Sequence, residues 1–156
     1  MAQADHPKGA LRTGNIADEL AHPPGVLDVV VVSPARPIFR GDAKWVTVAA
    51  WGGQLGIWPK HTAIVAALGS GILRIGEQGG KVARFAVRGG FLKVGGPRVT
   101  ILVDSAVAEA EADSAAAKKE LDETIEALRH PKSDEEFEEL LDRRQWCESR
   151  LKLGSS

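Results

Sequence analysis

The sequence predicts a mixed β plus α chain, an antiparallel β-sandwich or small barrel followed by a two-helix hairpin, and three observations carry that prediction. All but Gly9, Gly14 and Gly154 of the 17 glycines lie between Gly25 and Gly96, among short alternating apolar segments. Charge divides at the same place: residues 27 to 104 hold ten Lys or Arg against four acids, and residues 105 to 156 hold eight against fourteen. The hydrophobic period then changes from two to that of a helix.

Val26 to Val32 is almost wholly apolar and reads as a buried strand. Val46, Val48 and Ala50 alternate with Trp45, Thr47 and Ala49, so a strand there hides the first set. Ala83, Phe85 and Val87 alternate with Arg84 and Arg88, and Val99, Ile101 and Val103 alternate with Arg98 and Thr100. Glycine or proline punctuates these runs at Pro34, Pro37, Gly41, Gly52-Gly53, Pro59, Gly69, Gly71, Gly79-Gly80, Gly89-Gly90 and Gly95-Gly96-Pro97. No helix-length segment separates the runs, so successive strands pair antiparallel.

Beyond Asp104, Ala106, Ala108, Ala110, Ala112 and Ala115 to Ala117 are strong helix formers, and Ala117, Leu121, Ile125 and Leu128 share a helical face. His130-Pro131-Lys132 ends that helix, because proline disfavours helical geometry before it and donates no hydrogen bond. Ser133 with Glu136 fits a capping box opening a second helix, whose apolar stripe is Phe137, Leu140, Leu141, Cys147 and Leu151. The alanine-lined helix offers little apolar surface, so the hairpin is expected to be held weakly. The domain reading is residues 1–26 as a flexible extension, 27–104 as the sandwich and 105–153 as the hairpin.

Composition excludes several classes of function. At 156 residues the chain is one domain with at most an appendage, and no apolar run is long enough for a membrane-spanning helix. Its single cysteine, Cys147, forms no internal disulfide, and the N-terminal stretch has neither the apolar block of a secretory signal nor the basic bias of a transit peptide, which points to a cytoplasmic chain. His6, His22, His61 and His130 are scattered without metal-ligand spacing. Gly80-Lys81 is followed by Val82 and lacks the leading glycine of a phosphate-binding loop. Gly69-Ser70-Gly71 has no nucleophile-elbow flanks and reads as a turn. Glu135, Glu136, Glu138 and Glu139 sit in the first turns of a helix, where its dipole favours negative charge. The spread-out basic residues of the first unit form no nucleic-acid recognition motif. No catalytic residue, cofactor, metal or nucleic-acid partner is expected, nor insertion into the membrane.

Three segments in order resemble the epsilon-subunit family of F-type ATP synthases. They are Leu27-Asp28-Val29-Val30-Val31-Val32-Ser33-Pro34 with Phe39-Arg40-Gly41, then Gly53-Gln54-Leu55-Gly56-Ile57-Trp58-Pro59-Lys60-His61, then Arg88-Gly89-Gly90-Phe91-Leu92-Lys93-Val94 with Val99-Thr100-Ile101-Leu102-Val103-Asp104. The resemblance implies a flattened sandwich of about ten strands plus two helices, serving as a rotor subunit of the central stalk. It implies docking on the gamma subunit and on the polar loops of the membrane c-ring, so that ion flow is coupled to ATP synthesis from the cytoplasmic face of the bacterial inner membrane. By the same likeness Trp51-Gly52-Gly53-Gln54-Leu55 matches the ring contact, with His61 beside it and Trp58 a further anchor, although many members carry an acid at the place of Gln54. Packing at the sandwich edge is the other reading of Trp51 and Trp58. The likeness also makes the hairpin an inhibitor of ATP hydrolysis when it extends along gamma into the alpha/beta head. Some members bind ATP through an Asp followed after two residues by Arg-Ala. Asp113 and Ala117 are kept here, but Ala116 stands in the arginine position, so nucleotide binding is not expected. The alternative function is a non-enzymatic adaptor whose sandwich and hairpin hold different protein partners.

Overall fold

A computed structural model describes residues 25–154; the extension read over residues 1–26 lies outside them apart from its last two residues. The elements are β1 (Leu27–Val32), β2 (Pro37–Ala50), β3 (Gly53–Ile57), β4 (Ile64–Ala67), β5 (Gly71–Glu77), β6 (Val82–Arg88), β7 (Phe91–Gly95), β8 (Arg98–Leu102) and β9 (Ser105–Ala108). A 3-10 turn (Glu109–Glu111) then leads to α1 (Ser114–Leu128) and α2 (Asp134–Gly154).

The strands form one continuous sheet in the order β4-β7-β8-β1-β2-β5-β6-β9, with β3 added to β2. β2 is the spine: its first half pairs with β1, and its second half pairs with β3 and β5. The sheet folds about this long strand, and residues from both halves meet in one core. Leu27, Val29 and Val31 of β1, Val46 and Val48 of β2, Ile57 of β3, Leu73 and Ile75 of β5, Val87 of β6, Leu92 of β7 and Val99 and Ile101 of β8 fill it, all fully buried or nearly so. The expected alternation therefore holds in β2 and β8, while in β6 Ala86, between the core residues Phe85 and Val87, is buried as well, against α2; the valine-rich first strand is as buried as its sequence requires.

The described residues form nine strands, in keeping with the expected count of about ten. The structure departs from the expected arrangement in three places. β1 and β8 pair parallel, Asp28 beside Arg98 through Val32 beside Leu102, because they are brought together by the folding of the whole sheet and not by a tight turn. Gly41 lies inside β2, opposite Val29, where a turn was expected. Ala106 and Ala108, read as helix formers, belong to β9, which pairs with β6 from Ser105–Arg88 to Ala108–Phe85. Alanine's helix propensity is worth well under ~1 kcal/mol per residue, less than completing a sheet edge with backbone hydrogen bonds. The sheet consequently ends at residue 108, four positions later than the boundary read from the sequence.

At Gly89-Gly90 the chain leaves β6 for β7 on the other half of the fold. Gly90 has φ +112°, and a Cβ there would lie 1.8 Å from the Leu102 carbonyl oxygen, so only glycine permits the crossing.

The hairpin is docked. Trp146 and Leu153 of α2 pack on Ile72 of β5 and Ala86 of β6, with Val107 and Ala112 alongside. These two residues, seven apart and so on one face, were not in the expected stripe. Phe137, which was, is 41% exposed, and Ile125, on the face expected of the first helix, is 42% exposed. The second helix has to satisfy two neighbours at once, the sheet and α1, so its buried surface is wider than a single stripe and includes Ser149 and Cys147.

Candidate functional site

The register Ala50 opposite Gly53 leaves Trp51 and Gly52 as a two-residue turn between β2 and β3. The turn is anchored from below: the Trp51 amide donates to the Ala67 carbonyl at 3.1 Å, and the Gly69 amide to the Ala49 carbonyl at 3.1 Å. The backbone is thus fixed while the Trp51 residue is 82% exposed, the most of any large hydrophobic residue among those described. Exposing an indole on a rigid turn gains nothing for folding and suits a docking surface.

Gly53 and Gln54 are exposed beside this turn, whereas Leu55 turns inward against the core. Trp58 and His61 lie past the other end of β3. With ~3.3 Å of rise per residue, the strand separates them from Trp51 by roughly 15 to 20 Å. The six residues read as one contact region therefore form two clusters, and His61 is not beside the Trp51 turn.

The second cluster has its own local logic. Trp58 is 55% exposed, and its ring lies across Gly56, where a Cβ would stand 2.4 Å from the ring. Glycine at 56 is what lets the indole lie flat along the strand. The chain then reverses, the His61 amide donating to the Trp58 carbonyl at 3.1 Å, with Lys60 at φ 69°. That left-handed conformation is strained for a lysine and ordinary for glycine. The His61 ring donates from Nδ1 to the Thr62 carbonyl at 2.7 Å, which fixes its tautomer and orientation.

Behind the tip lie two open grooves. Trp51 lines one with Arg88, Glu120, Glu136, Asp142 and Arg143; Gln54 lines the other with Ser70, Arg74, Gln145, Glu148 and Lys152. Both are shallow clefts along α2, and neither brings together a nucleophile, a base and an oxyanion donor. Among the described residues no group of three or more His, Cys, Asp or Glu is placed to hold a metal, and no helix is long and apolar enough to cross a membrane.

The contacts that seat the hairpin were not legible as pairs in the sequence. Asp142 of α2 accepts from Arg88 Nε at 3.0 Å and from Ser70 Oγ at 3.4 Å. Within the hairpin, Glu120 of α1 accepts from Arg150 and, at 3.1 Å, from Arg143. The hydrogen bond from Arg150 holds the Glu120 carboxyl below its ordinary pKa against the opposing effect of burial, and Arg143 adds to it. Glu111, in the turn leading to α1, is likewise held low, chiefly by the Ala108 amide and then by Arg36, which bonds it at 2.9 Å.

The second helix opens as its sequence implies, Ser133 Oγ accepting from the Glu136 amide at 3.0 Å. The Glu136 carboxylate reaches back one residue further than the usual box, to the Lys132 amide. Asp113 is the N-cap of α1 and accepts from the Ala116 amide at 3.0 Å, while Ala117 is fully buried. The degenerate nucleotide motif is therefore occupied with starting a helix.

Comparison with known proteins gives a consistent pattern. Residues 26–109 match the family model for the β-sandwich domain of the ATP synthase delta/epsilon chain. The ATP synthase epsilon chain of Bordetella petrii is 39% identical over 106 residues, covering 68% of this chain and 75% of that protein. The one from Delftia acidovorans is 37% identical over 108 residues, covering 69% and 78%. Among solved structures, a chain of the Euglena gracilis mitochondrial ATP synthase OSCP/F1/c-ring assembly superposes with a TM-score of 0.72 at 23% identity, over 94% of this chain and 88% of that one. A chain of the Tetrahymena thermophila mitochondrial ATP synthase central stalk and c-ring gives 0.57 at 17% identity, over 81% and 94%. At those identities the two superpositions speak for the fold.

Proposed function

The chain belongs to the ATP synthase epsilon-chain family, and from that premise we propose how its two parts serve the enzyme. It is a non-catalytic subunit of the central stalk, a part of the membrane-associated complex that couples ion flow to ATP synthesis. The sandwich is its docking plate. The turn at Trp51 seats on the polar loops of the c-ring, and gamma takes up another surface of the sandwich, so that torque passes through a body with a rigid core. The observation that carries this reading is the 82% exposure of Trp51 on a backbone held by interstrand hydrogen bonds. An indole so placed matches the aromatic anchors that dominate binding energy at interfaces.

Gln54 supports the contact through its amide, a neutral hydrogen bond worth a net ~0.5 to 1.5 kcal/mol, in place of an ion pair. Trp58 and His61, at the far end of β3, form a second patch and face a different partner surface. In this reading the chain works at the cytoplasmic face of the membrane.

The hairpin is the regulatory part. In its docked position α2 covers β5 and β6; released, it reaches along gamma towards the alpha/beta head and opposes ATP hydrolysis. The test is a chain ending at residue 112, which keeps β9 in the sheet. Membranes carrying it are expected to hydrolyse ATP faster while ion pumping survives. Unchanged hydrolysis rules out inhibition by the hairpin, and loss of pumping rules out the sandwich as a self-sufficient plate.

A further inference from the structure

One carboxylate of α2, that of Asp142, joins the helix to two of the strands beneath it. Asp142 meets Arg88 through both Nε, at 3.0 Å, and Nη2, at 2.9 Å, and takes the Ser70 hydroxyl at 3.4 Å. Ser70 precedes β5 and Arg88 ends β6, so this single side chain gathers the adjacent ends of two strands. Both guanidinium nitrogens converge on the one oxygen Oδ2, and Oδ1 is left to the Ser70 hydroxyl, so each carboxylate oxygen holds a different strand end. Water nevertheless reaches it: the Arg88 and Asp142 side chains are 36% and 48% exposed. The rest of the seat is the apolar strip of Trp146 and Leu153, with an open groove on either side. The bonds that hold α1 to α2 use different residues, Glu120 with Arg143 and Arg150.

We propose that the Arg88–Asp142 clamp is the latch of the hairpin: it sets how often α2 leaves the sandwich, while the hairpin's own ion pairs keep its two helices together. The latch deepens the regulatory reading above and rests on it for its consequence, but not for its test. A solvent-reached ion pair is a weak bond, and a weak bond suits a part that has to come off. Asp142 and Arg88 act as positioning residues.

Ala86 is fully buried under Trp146 on the outer side of β6, so a thiol there is reached only when the hairpin lifts. The experiment measures the labelling rate of Ala86→Cys in a Cys147→Ala background, using the full chain with and without Arg88→Gln, Asp142→Asn, both together, or Glu120→Gln. Each clamp substitution is expected to raise the rate on the order of 5- to 10-fold. The double substitution should add nothing to either single one, and exchanging the two charges, Arg88→Asp with Asp142→Arg, should recover part of the lost protection. Circular dichroism should show the helix content unchanged. Labelling that ignores the clamp, or two effects that simply add, overturns the proposal. So does a larger effect from Glu120→Gln than from Arg88→Gln, which would place the latch between the helices. Because the assay needs no ATP synthase, it can succeed where inhibition of hydrolysis fails, and the reverse.

Discussion

Replacing Trp51 by alanine separates a docking anchor from a packing residue, and the structure supplies the magnitudes. The residue is 82% exposed, so folding hides less than a fifth of a surface of roughly 250 Å², on the order of 50 Å². At ~25 cal/mol per Å² this is about 1 kcal/mol at most, before the unfolded chain's own burial is subtracted. Seating the remaining roughly 200 Å² in a partner involves ~5 kcal/mol gross, of which measured hot spots retain ~2 to 4 after the costs of association. The expected result is a urea midpoint moved by less than ~1 kcal/mol in stability and an affinity for epsilon-depleted synthase reduced about 30- to 1,000-fold. Titration of the chain onto depleted membranes, followed by recovery of ion pumping, measures the second quantity. A stability loss above ~2 kcal/mol would make Trp51 a core residue after all. An unchanged affinity with intact folding would show that the turn meets nothing.

Trp146→Ala should behave in the opposite way: a buried Trp to Ala change costs about 3 to 5 kcal/mol, here concentrated on the seat of the hairpin. Hydrogen exchange should show both helices losing protection while β1, β2 and β8 keep theirs, and uniform loss across the sheet would refute a separately docked hairpin. The depressed pKa of Glu120 makes the hairpin sensitive to acid. A carboxyl whose folded pKa is lowered contributes its stability above its unfolded value, near 4.5, and loses it as pH falls through the folded value. Resistance of the hairpin to melting should therefore weaken below about pH 4.5, and more steeply in the native chain than in Glu120→Gln; equal slopes would show that the pair with Arg150 adds nothing. Asp113→Ala should lower helix stability by ~1 kcal/mol through loss of the cap. Calorimetry with ATP should give no micromolar binding to either form of Asp113, and such binding would show that Ala116 does not disable the motif.

What was legible in the sequence followed from residues whose environment is local. Alternation at Val46–Val48, Phe85–Val87 and Val99–Ile101 placed the core because a strand shows opposite faces to opposite sides wherever it pairs. The break at Pro131 and the cap at Ser133 were equally local, set by the backbone chemistry of a few adjacent residues. The failures concern partners far apart in the chain. Nothing in Ala106 or Ala108 announces that β6 has an open edge beside them, and nothing in Arg88 announces Asp142, 54 positions later. Trp146 and Leu153 stand seven apart on one helical face, a spacing that was available, yet α1 competes for the same helix and the stripe nearest its start drew the reading away.

The candidate contact region shows the same limit. A run from Trp51 to His61 looks continuous in sequence, but a five-residue strand is stiff, and its two ends cannot serve one small contact. Exposure of Trp51 and Trp58 could not be read from composition, since tryptophan is as much at home in a core as at an interface.

The most direct measurement strips synthase-bearing membranes of their own epsilon chain and adds this one back, with ion pumping driven by ATP as the readout. Restoration of pumping by the native chain, and its failure with Trp51→Ala at concentrations where the native chain saturates, is the result predicted. Pumping that stays uncoupled with the folded native chain bound or unbound would contradict the stalk role itself.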